Sequence, residues 1–374
     1  MIKTSEYVSP GHPDKMCDFI SSYILDRLLE VDSLTRFALE VQAKDNTVNL
    51  AGEITTRAFP GELAARIGQW TRDAVDAIGY TAEYTKRWPG CAPWADALVI
   101  NQFISHQSPE IANGVERGGW GDQGIFFGMA AADKSLDYMP ADLALARRLG
   151  FNLYLMAKNG IMPIGLDIKT QVTLDTDTGN VIEVIVAAPM FDADAAAVSA
   201  KLTSFVERIV ADTTGQNYHP DIIINGTGNF TIHSTFADAG TTGRKLAVDF
   251  YGGNCPIGGG SPWTKDGSKA DLALNIYARH LATQARFAGR AKADAPIYSA
   301  ISCCIGRKEI HCGVYEGFNG RVISEWTEDL PADKIIYRLR LREPVYTFKS
   351  LHGLFKLPAP KQRNHYKLNC LGEI

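Results

Sequence analysis

The chain has 374 residues, of which 45% are hydrophobic and 21% charged, and its formal net charge at neutral pH is −4. This length suits two or three domains rather than a single core. The composition is that of a globular protein and excludes disordered and fibrous classes. The small negative charge gives no polycationic character, so no nucleic-acid partner is expected.

The seven cysteines are scattered along the chain and form no CxxC pair. This spacing argues against a structural zinc site or a disulfide framework and favours reduced thiols in the cytoplasm. The N-terminal segment MIKTSEYVSP has no apolar signal region, and no apolar run reaches membrane-spanning length. We therefore expect a soluble cytoplasmic protein without a membrane partner.

The first third of the chain predicts four elements. Apolar periodicity indicates a helix from Pro13, and alternation indicates a hairpin over residues 37–50. A second helix is predicted over residues 63–78, ending at Gly79. Residues 97–104 are predicted to form a buried strand.

This hairpin–helix–strand order returns twice. The second unit has a hairpin, a helix and a strand at residues 168–188, 191–211 and 221–224. The third, looser unit has a strand, a helix and another strand at residues 245–250, 268–288 and 298–305. Three such units predict an α+β fold of three similar domains, each a sheet with helices on one side. The expected domains cover residues 1–105, 122–228 and 229–374, with a loop at 106–121.

Residues 238–271 combine glycines, scattered carboxylates and four cations, which are Arg244, Lys245, Lys265 and Lys269. Glycine lets a backbone approach a ligand closely. Mg²⁺ is usually bound by one or two carboxylates together with phosphate oxygens. The Walker A pattern is missing. The stretch therefore predicts either a phosphate site of another type or a solvated charged loop.

Three shorter signals have both a functional and a simple interpretation. Residues 12–15 (His-Pro-Asp-Lys) open a helix, where free N–H groups attract anions, but helix capping explains the same residues. Asp122 lies beside Gln123 between two glycines, which is also typical of a turn. Glu53 in an apolar strand is either exposed or paired with a cation or an amine.

Together these segments resemble the S-adenosylmethionine synthetase family. The matching segments, in family order, are TSEYVSPGHPDKMCDFISSYILD, GEITT, QSPEIANGVER, GDQGIFFGMA, LDIKTQVT, NGTGNFTIHSTFADAGTTGRK, YGG, GGG and KDGSKAD. They cover most of residues 4–271, and the match thins beyond about residue 320. The combination of motifs is specific, whereas each motif alone is weak.

The resemblance implies that the enzyme joins ATP and L-methionine. The thioether sulfur attacks C5′ of the ribose and expels triphosphate, which is then hydrolysed to phosphate and pyrophosphate. A thioether needs no base, so catalysis depends on in-line positioning and on stabilising the leaving group. The resemblance also implies two Mg²⁺ ions, and a homodimer or dimer of dimers with sites shared across flat sheet faces.

The resemblance further implies roles for individual residues. The catalytic set is His12, Lys169, Arg244, Lys245, Lys265 and Lys269. The methionine-binding set is Glu53, Gln107, Asp238, Lys269 and Ile305. The ATP-binding set is His12, Asp122, Asp167, Lys169, Phe230, Arg244, Lys245 and Lys265. Asp14 and Asp271 match the Mg²⁺ ligands, and Glu40 matches a carboxylate linked to a K⁺ site.

The chain departs from the family pattern at several places. Trp263 replaces a serine associated with the monovalent cation, so little dependence on K⁺ is expected. Asn229 replaces an arginine near the nucleotide, and the gating loop at 107–120 is shortened. The alternatives are a polyphosphate hydrolase, a non-catalytic regulatory homologue, and a synthetase that uses a different nucleotide.

Overall fold

The computed structural model describes residues 1–106, 119–215 and 219–356. The strands are β1 (Ile2–Val8), β2 (Arg36–Lys44), β3 (Thr47–Thr55), β4 (Val99–Ser105), β5 (Gly124–Ala130), β6 (Lys169–Asp175), β7 (Val181–Ala187), β8 (Asp221–Ile224), β9 (Gly240–Thr241), β10 (Ile297–Cys303), β11 (Glu309–Glu316) and β12 (Arg321–Asp329). The α-helices are α1 (Pro13–Leu29), α2 (Leu63–Ile78), α3 (Ala82–Arg87), α4 (Ala141–Lys158), α5 (Ala195–Thr214), α6 (Leu246–Asp249), α7 (Ala270–Phe287), α8 (Ala332–Arg338) and α9 (Tyr346–His352).

The described strands form three four-stranded sheets, in the orders β4-β3-β2-β9, β1-β6-β7-β8 and β12-β11-β10-β5. Helices pack against each sheet, which confirms the predicted α+β fold with three sheet-and-helix units. None of the helices in the described stretches combines the length and apolar character that a bilayer crossing requires.

The first two sheets share one topology, as the sequence predicts. In each, an antiparallel hairpin (β2–β3 or β6–β7) is followed by a helix and a strand that joins in parallel. Alternate residues such as Phe37, Leu39 and Leu50 are buried on one face of the first sheet, because a half-covered sheet has a side-chain period of two. Gly79 ends α2 with a φ of +123°, so that helix stop is confirmed.

The prediction of a buried strand at residues 97–104 is correct about the strand but wrong about its burial. A 3₁₀ turn occupies Ala95–Ala97, and β4 begins at Val99. Val99 and Phe103 are 57% and 67% exposed. The reason is that β4 is an edge strand, and helices cover only one face of its sheet within a single chain.

The third unit does not follow the predicted order. Its sheet is antiparallel throughout, and residues 245–250 form the short helix α6 instead of a strand. Gly243 and Gly252 on either side have positive φ values of +75° and +63°, which glycine adopts at little cost. This turn directs Asp249 towards Lys15 of α1, with a distance of 2.6 Å between Oδ1 and Nζ. The helix and the second strand predicted for this unit are confirmed as α7 and β10.

Three strands lie in a sheet other than the one formed by their sequence neighbours. β1 joins the second sheet, β5 joins the third, and β9 joins the first. The units expected at 1–105, 122–228 and 229–374 therefore exchange strands. Their junctions place residues from distant parts of the chain side by side.

The most buried helix is α1, in which all residues except Arg27 are buried. Its buried polar residues are tied to other elements, since a buried polar group without a partner is costly. Ser21 Oγ donates to the carbonyl of Leu39 at 2.9 Å. The Asp26 carboxylate accepts from the N–H groups of Tyr346 and Thr347 at 3.0 and 2.7 Å. Helix α1 thereby connects the first sheet to α9.

The contact between β9 and the start of α1 makes a prediction for stability. A Cβ added to Gly240 would lie 2.3 Å from the carbonyl oxygen of Pro13. Because both are backbone positions, Gly240→Ala must separate the two elements, and overpacking of this kind costs about 1–3 kcal/mol. The urea midpoint of unfolding should fall.

The matched control is Gly68→Ala within α2, where the nearest atom to the added Cβ is a side-chain nitrogen at 3.5 Å. Alanine is the better helix former by about 1 kcal/mol, so this variant should unfold at equal or higher urea. A Gly240→Ala protein as stable as the parent would contradict the predicted contact.

Candidate active site

His12 is the N-cap residue of α1 and is almost completely buried. Its Nδ1 accepts a hydrogen bond from the backbone N–H of Asp14 at 3.2 Å. Burial, and then the charges of Lys169 and Lys245, lower the pKa of the imidazole to about 2. His12 is therefore neutral near pH 7. Because Nδ1 accepts, the ring proton is on Nε2, which is a hydrogen-bond donor.

The segment before His12 is fixed against the start of β6. Ser9 Oγ donates to the carbonyl of Leu166 at 2.6 Å and accepts from the N–H of Ile168 at 2.9 Å. The Tyr80 hydroxyl donates to the carbonyl of Gly11 at 2.6 Å. These bonds hold His12 close to the strand that begins at Lys169.

Asp14 has no solvent exposure, and cations contact both of its oxygens. Oδ1 accepts from the N–H of Thr241 at 2.9 Å and lies 3.2 Å from Nε of Arg244. Oδ2 lies 2.6 Å from Nζ of Lys245. A buried carboxylate is stable only when it is paired in this way. Arg244 also reaches Asp238, at 4.0 Å.

Asp167 lies beside the same group of charges. Burial raises its pKa to about 6, while the charge of Lys169 opposes the rise and those of Asp238 and Asp14 add to it. Oδ2 accepts from the N–H of Ser234 at 2.8 Å. Oδ1 is buried and has no hydrogen-bond partner among the described residues. We define the helix-start cluster as His12, Asp14, Asp167, Lys169, Asp238, Arg244 and Lys245.

A second group forms where the glycine loop 258–260 meets the first turn of α7. Asp271 accepts from the N–H of Gly260 through Oδ1, at 2.8 Å, and pairs with Lys265 through Oδ2. Asp122 contacts Cys303, whose thiol donates to the Asp122 carbonyl at 3.4 Å, and burial, together with the charges of Asp122 and Asp271, raises the pKa of that thiol. Lys269 is the N-cap residue of α7. We define the glycine-loop cluster as Asp122, Lys265, Lys269 and Asp271.

A buried ion group connects the two clusters. Nζ of Lys15 lies 3.0 Å from Asp18 and 2.6 Å from Asp249. Burial alone would lower the pKa of this ammonium, but the two carboxylates outweigh burial and raise it. Trp263 Nε1 donates to Asp249 at 2.7 Å, and the indole ring lies 4.5 Å from the ammonium. Asp18 also accepts from the N–H of Gly243 at 2.9 Å.

Sequence reasoning placed Lys15 in a candidate anion and metal site at the start of the helix and assigned no role to Asp18 or Asp249. The pairing of Lys15 with Asp18 could have been predicted, since the two residues are spaced i,i+3 on one helix. Asp249 could not be identified, because residues 245–250 were predicted as a strand.

The structure also describes Glu53 and Ile305, two of the residues predicted to bind methionine. Glu53 pairs in register with Ala38, and Ala38 also bridges to Lys265, so Glu53 is two strand spacings from Lys265, about 10 Å. Ile305 is exposed and bridges to Trp120. Gln107 and most of the predicted gating loop lie outside the described residues.

Two predicted residues are not tied to either cluster by a contact of their side chains. Phe230 is half-buried, and its carbonyl accepts from the N–H of Met190 at 2.9 Å. Glu40 is exposed on the outer face of β2, where its carboxylate accepts from the Thr242 hydroxyl.

Comparison with known proteins identifies the family of the chain. The N-terminal, central and C-terminal domain families of S-adenosylmethionine synthetase match residues 1–109, 117–230 and 232–362. An S-adenosylmethionine synthase from Paracoccus denitrificans (strain Pd 1222) is 36% identical over 296 residues, which is 77% of this chain and 74% of that protein.

A solved structure, described as an unusual S-adenosylmethionine synthetase from Campylobacter jejuni, superposes with a TM-score of 0.79 at 30% identity. The superposition covers 95% of this chain and 94% of that one. With all three domain families matched in order, the chain belongs to the S-adenosylmethionine synthetase family.

Proposed function

We propose that the chain, a methionine adenosyltransferase by family, forms S-adenosylmethionine by attack of the methionine sulfur on C5′ of ATP. The displaced triphosphate is then hydrolysed to phosphate and pyrophosphate. The observation that carries this proposal is the helix-start cluster, in which a neutral histidine lies among three cations and a buried carboxylate. That chemistry suits a polyanionic leaving group whose bridging oxygen gains charge.

His12 is the proposed donor to O5′. Its Nδ1 is occupied by the N–H of Asp14, so only Nε2–H is free to donate. A neutral donor needs no protonation step, and its hydrogen bond strengthens as the oxygen gains negative charge in the transition state. Lys169, Arg244 and Lys245 would then surround the triphosphate.

Asp14 and Asp271 are the proposed Mg²⁺ ligands. Carboxylate oxygens are the hard donors that Mg²⁺ prefers, and the ion commonly takes its remaining ligands from phosphate and water. When bound, Mg²⁺ would neutralise charge on the phosphate chain. The residues present fit this role, because both carboxylates already pair with cationic side chains, Asp14 with Arg244 and Lys245 and Asp271 with Lys265.

The two substrates are assigned to opposite sides of the clusters. Asp167, with one unpartnered buried oxygen, is suited to accept a hydrogen bond from adenosine, and Asp122 and Phe230 are proposed on the same side. Glu53, Gln107, Asp238, Lys269 and Ile305 are proposed to hold methionine. Arg244, which contacts both Asp14 and Asp238, would connect the two substrates.

We further propose a homodimer, or a dimer of dimers, in the cytoplasm. The outer sheet faces carry exposed apolar side chains, including Phe103, Val99 and Ile125, and a second copy would cover them. The six cysteines in the described residues are free thiols, as expected in a reducing compartment.

The first test is formation of S-adenosylmethionine, detected by mass after the protein is mixed with ATP, L-methionine and Mg²⁺. Asp14→Asn or Asp271→Asn should lower turnover by orders of magnitude, because each removes charge that would hold a metal on the triphosphate. Asp177→Asn, an exposed carboxylate paired with the chain N-terminus, is the control and should keep the parent rate. Near-normal turnover of both site variants at saturating Mg²⁺ would refute the metal assignment.

Substitution of His12 separates synthesis from hydrolysis. Asparagine can still cap α1 but is too short to place a donor where Nε2 lies. His12→Asn should therefore slow sulfonium formation by about 10²–10³, and slow cleavage of added tripolyphosphate far less. Equal losses in both reactions, together with a lower melting temperature, would assign His12 a structural role.

Because burial keeps the pKa of His12 at about 2, the imidazole stays neutral from pH 5 to 8, with Nδ1 accepting from the N–H of Asp14 and Nε2–H able to donate. The parent rate should show no loss from protonation of this residue there.

The role of K⁺ is tested by replacing it with tetramethylammonium at constant Mg²⁺. Trp263 stands at the position of the family serine, and its indole N–H donates to Asp249, whose charge Lys15 already neutralises within the protein. We therefore expect the rate of S-adenosylmethionine formation to change little. A large stimulation by K⁺ would mean instead that Glu40 and its neighbouring backbone hold a cation without the serine.

A further inference from the structure

The two proposed metal ligands share one unusual feature. Each carboxylate has one oxygen on a backbone N–H and the other on a lysine ammonium. For Asp14 the pair is the N–H of Thr241 and Nζ of Lys245. For Asp271 it is the N–H of Gly260 and Nζ of Lys265. The two sites lie on different elements and share this arrangement, although Oδ1 of Asp14 also lies 3.2 Å from Nε of Arg244.

The backbone N–H groups and the lysine ammonium groups differ in how far they can move. The backbone N–H groups belong to β9 and to a glycine loop packed tightly on β5, where a Cβ on Gly258 would lie 1.9 Å from the carbonyl of Ile125. The ammonium groups are at the ends of flexible side chains that are about one-fifth exposed. The oxygen that faces the lysine is therefore the one that can be freed for a metal ion, because the lysine can move whereas the backbone N–H cannot.

The free energy needed to displace the lysine from the carboxylate depends on whether a phosphate chain is bound. If a divalent cation binds alone, the displaced ammonium stays a few ångströms from it and the two positive charges repel. If a polyphosphate binds together with the metal, its oxygens become the new partners of the lysine. Binding of metal and polyphosphate is then coupled, and by linkage the coupling is reciprocal.

We propose that Lys245 and Lys265 act as internal counterions that exclude divalent metal from Asp14 and Asp271 until a polyphosphate takes over their charge. This inference rests on the proposed placement of Mg²⁺ at those two carboxylates. To that placement the inference adds a sequence of binding steps. The lysine ammonium groups move from the carboxylates to the phosphate oxygens as the metal ion binds.

The test measures binding of Mn²⁺ alone, without nucleotide or phosphate, from the free-ion signal in electron paramagnetic resonance. The parent protein should bind Mn²⁺ weakly at these carboxylates. Lys245→Met and Lys265→Met should each create one site that is about tenfold tighter or more, because a competing charge at close range has been removed. Arg66→Met, which breaks an exposed pair with Glu62 at 3.0 Å, is the control and should leave Mn²⁺ affinity unchanged.

A double variant, Asp14→Asn with Lys245→Met, assigns the new site and should lose the gained affinity. Should Lys245→Met unfold easily because Asp14 has lost a partner, added Mn²⁺ should raise its melting temperature more than that of the parent, since a ligand stabilises the state that binds it. Parent protein that binds Mn²⁺ as tightly as the lysine variants would overturn the inference. The measurement does not depend on turnover, so a chain that forms no S-adenosylmethionine could still pass it, and an active synthetase could still fail it.

Discussion

The buried charge of Asp14 is the constraint on which the centre of the molecule depends. A carboxylate with no solvent exposure is tolerated only with partners on both oxygens, and here these are Arg244, Lys245 and the N–H of Thr241. Satisfying that charge brings the segment at 240–245 onto the start of α1. The same contacts leave His12 neutral, because the surrounding cations and burial act together against its protonation.

The exchange of strands among the three sheets explains why these residues meet. β1 leads from the second sheet directly into α1, which packs on the first, and β9 returns from a late part of the chain to join the first sheet. The helix-start cluster therefore lies at a junction of sheets. The glycine-loop cluster lies at another, where loop 258–260 packs on β5 and leads into α7.

The ion group around Lys15 gives the two clusters a common support. It ties α1, α6 and the loop that carries Trp263 together without reaching solvent. The indole N–H of Trp263 is directed at Asp249, and its ring face lies beside the Lys15 ammonium. Trp263 thereby adds a partner to each of two buried charges.

The sequence by itself determined the local elements and the chemistry of the site residues. Periodicity located α1, α2, both hairpins and α7, because helical and strand patterns depend only on neighbours along the chain. Motif resemblance assigned the proposed roles to His12, Asp14, Lys245, Lys265 and Asp271. The tertiary structure, in contrast, makes residues 246–249 helical, leaves one face of β4 open, and pairs Asp14 and Asp271 each with a lysine. Those features depend on contacts between residues far apart in the chain, such as Lys15 with Asp249, and no local pattern encodes which distant charge a buried group will meet.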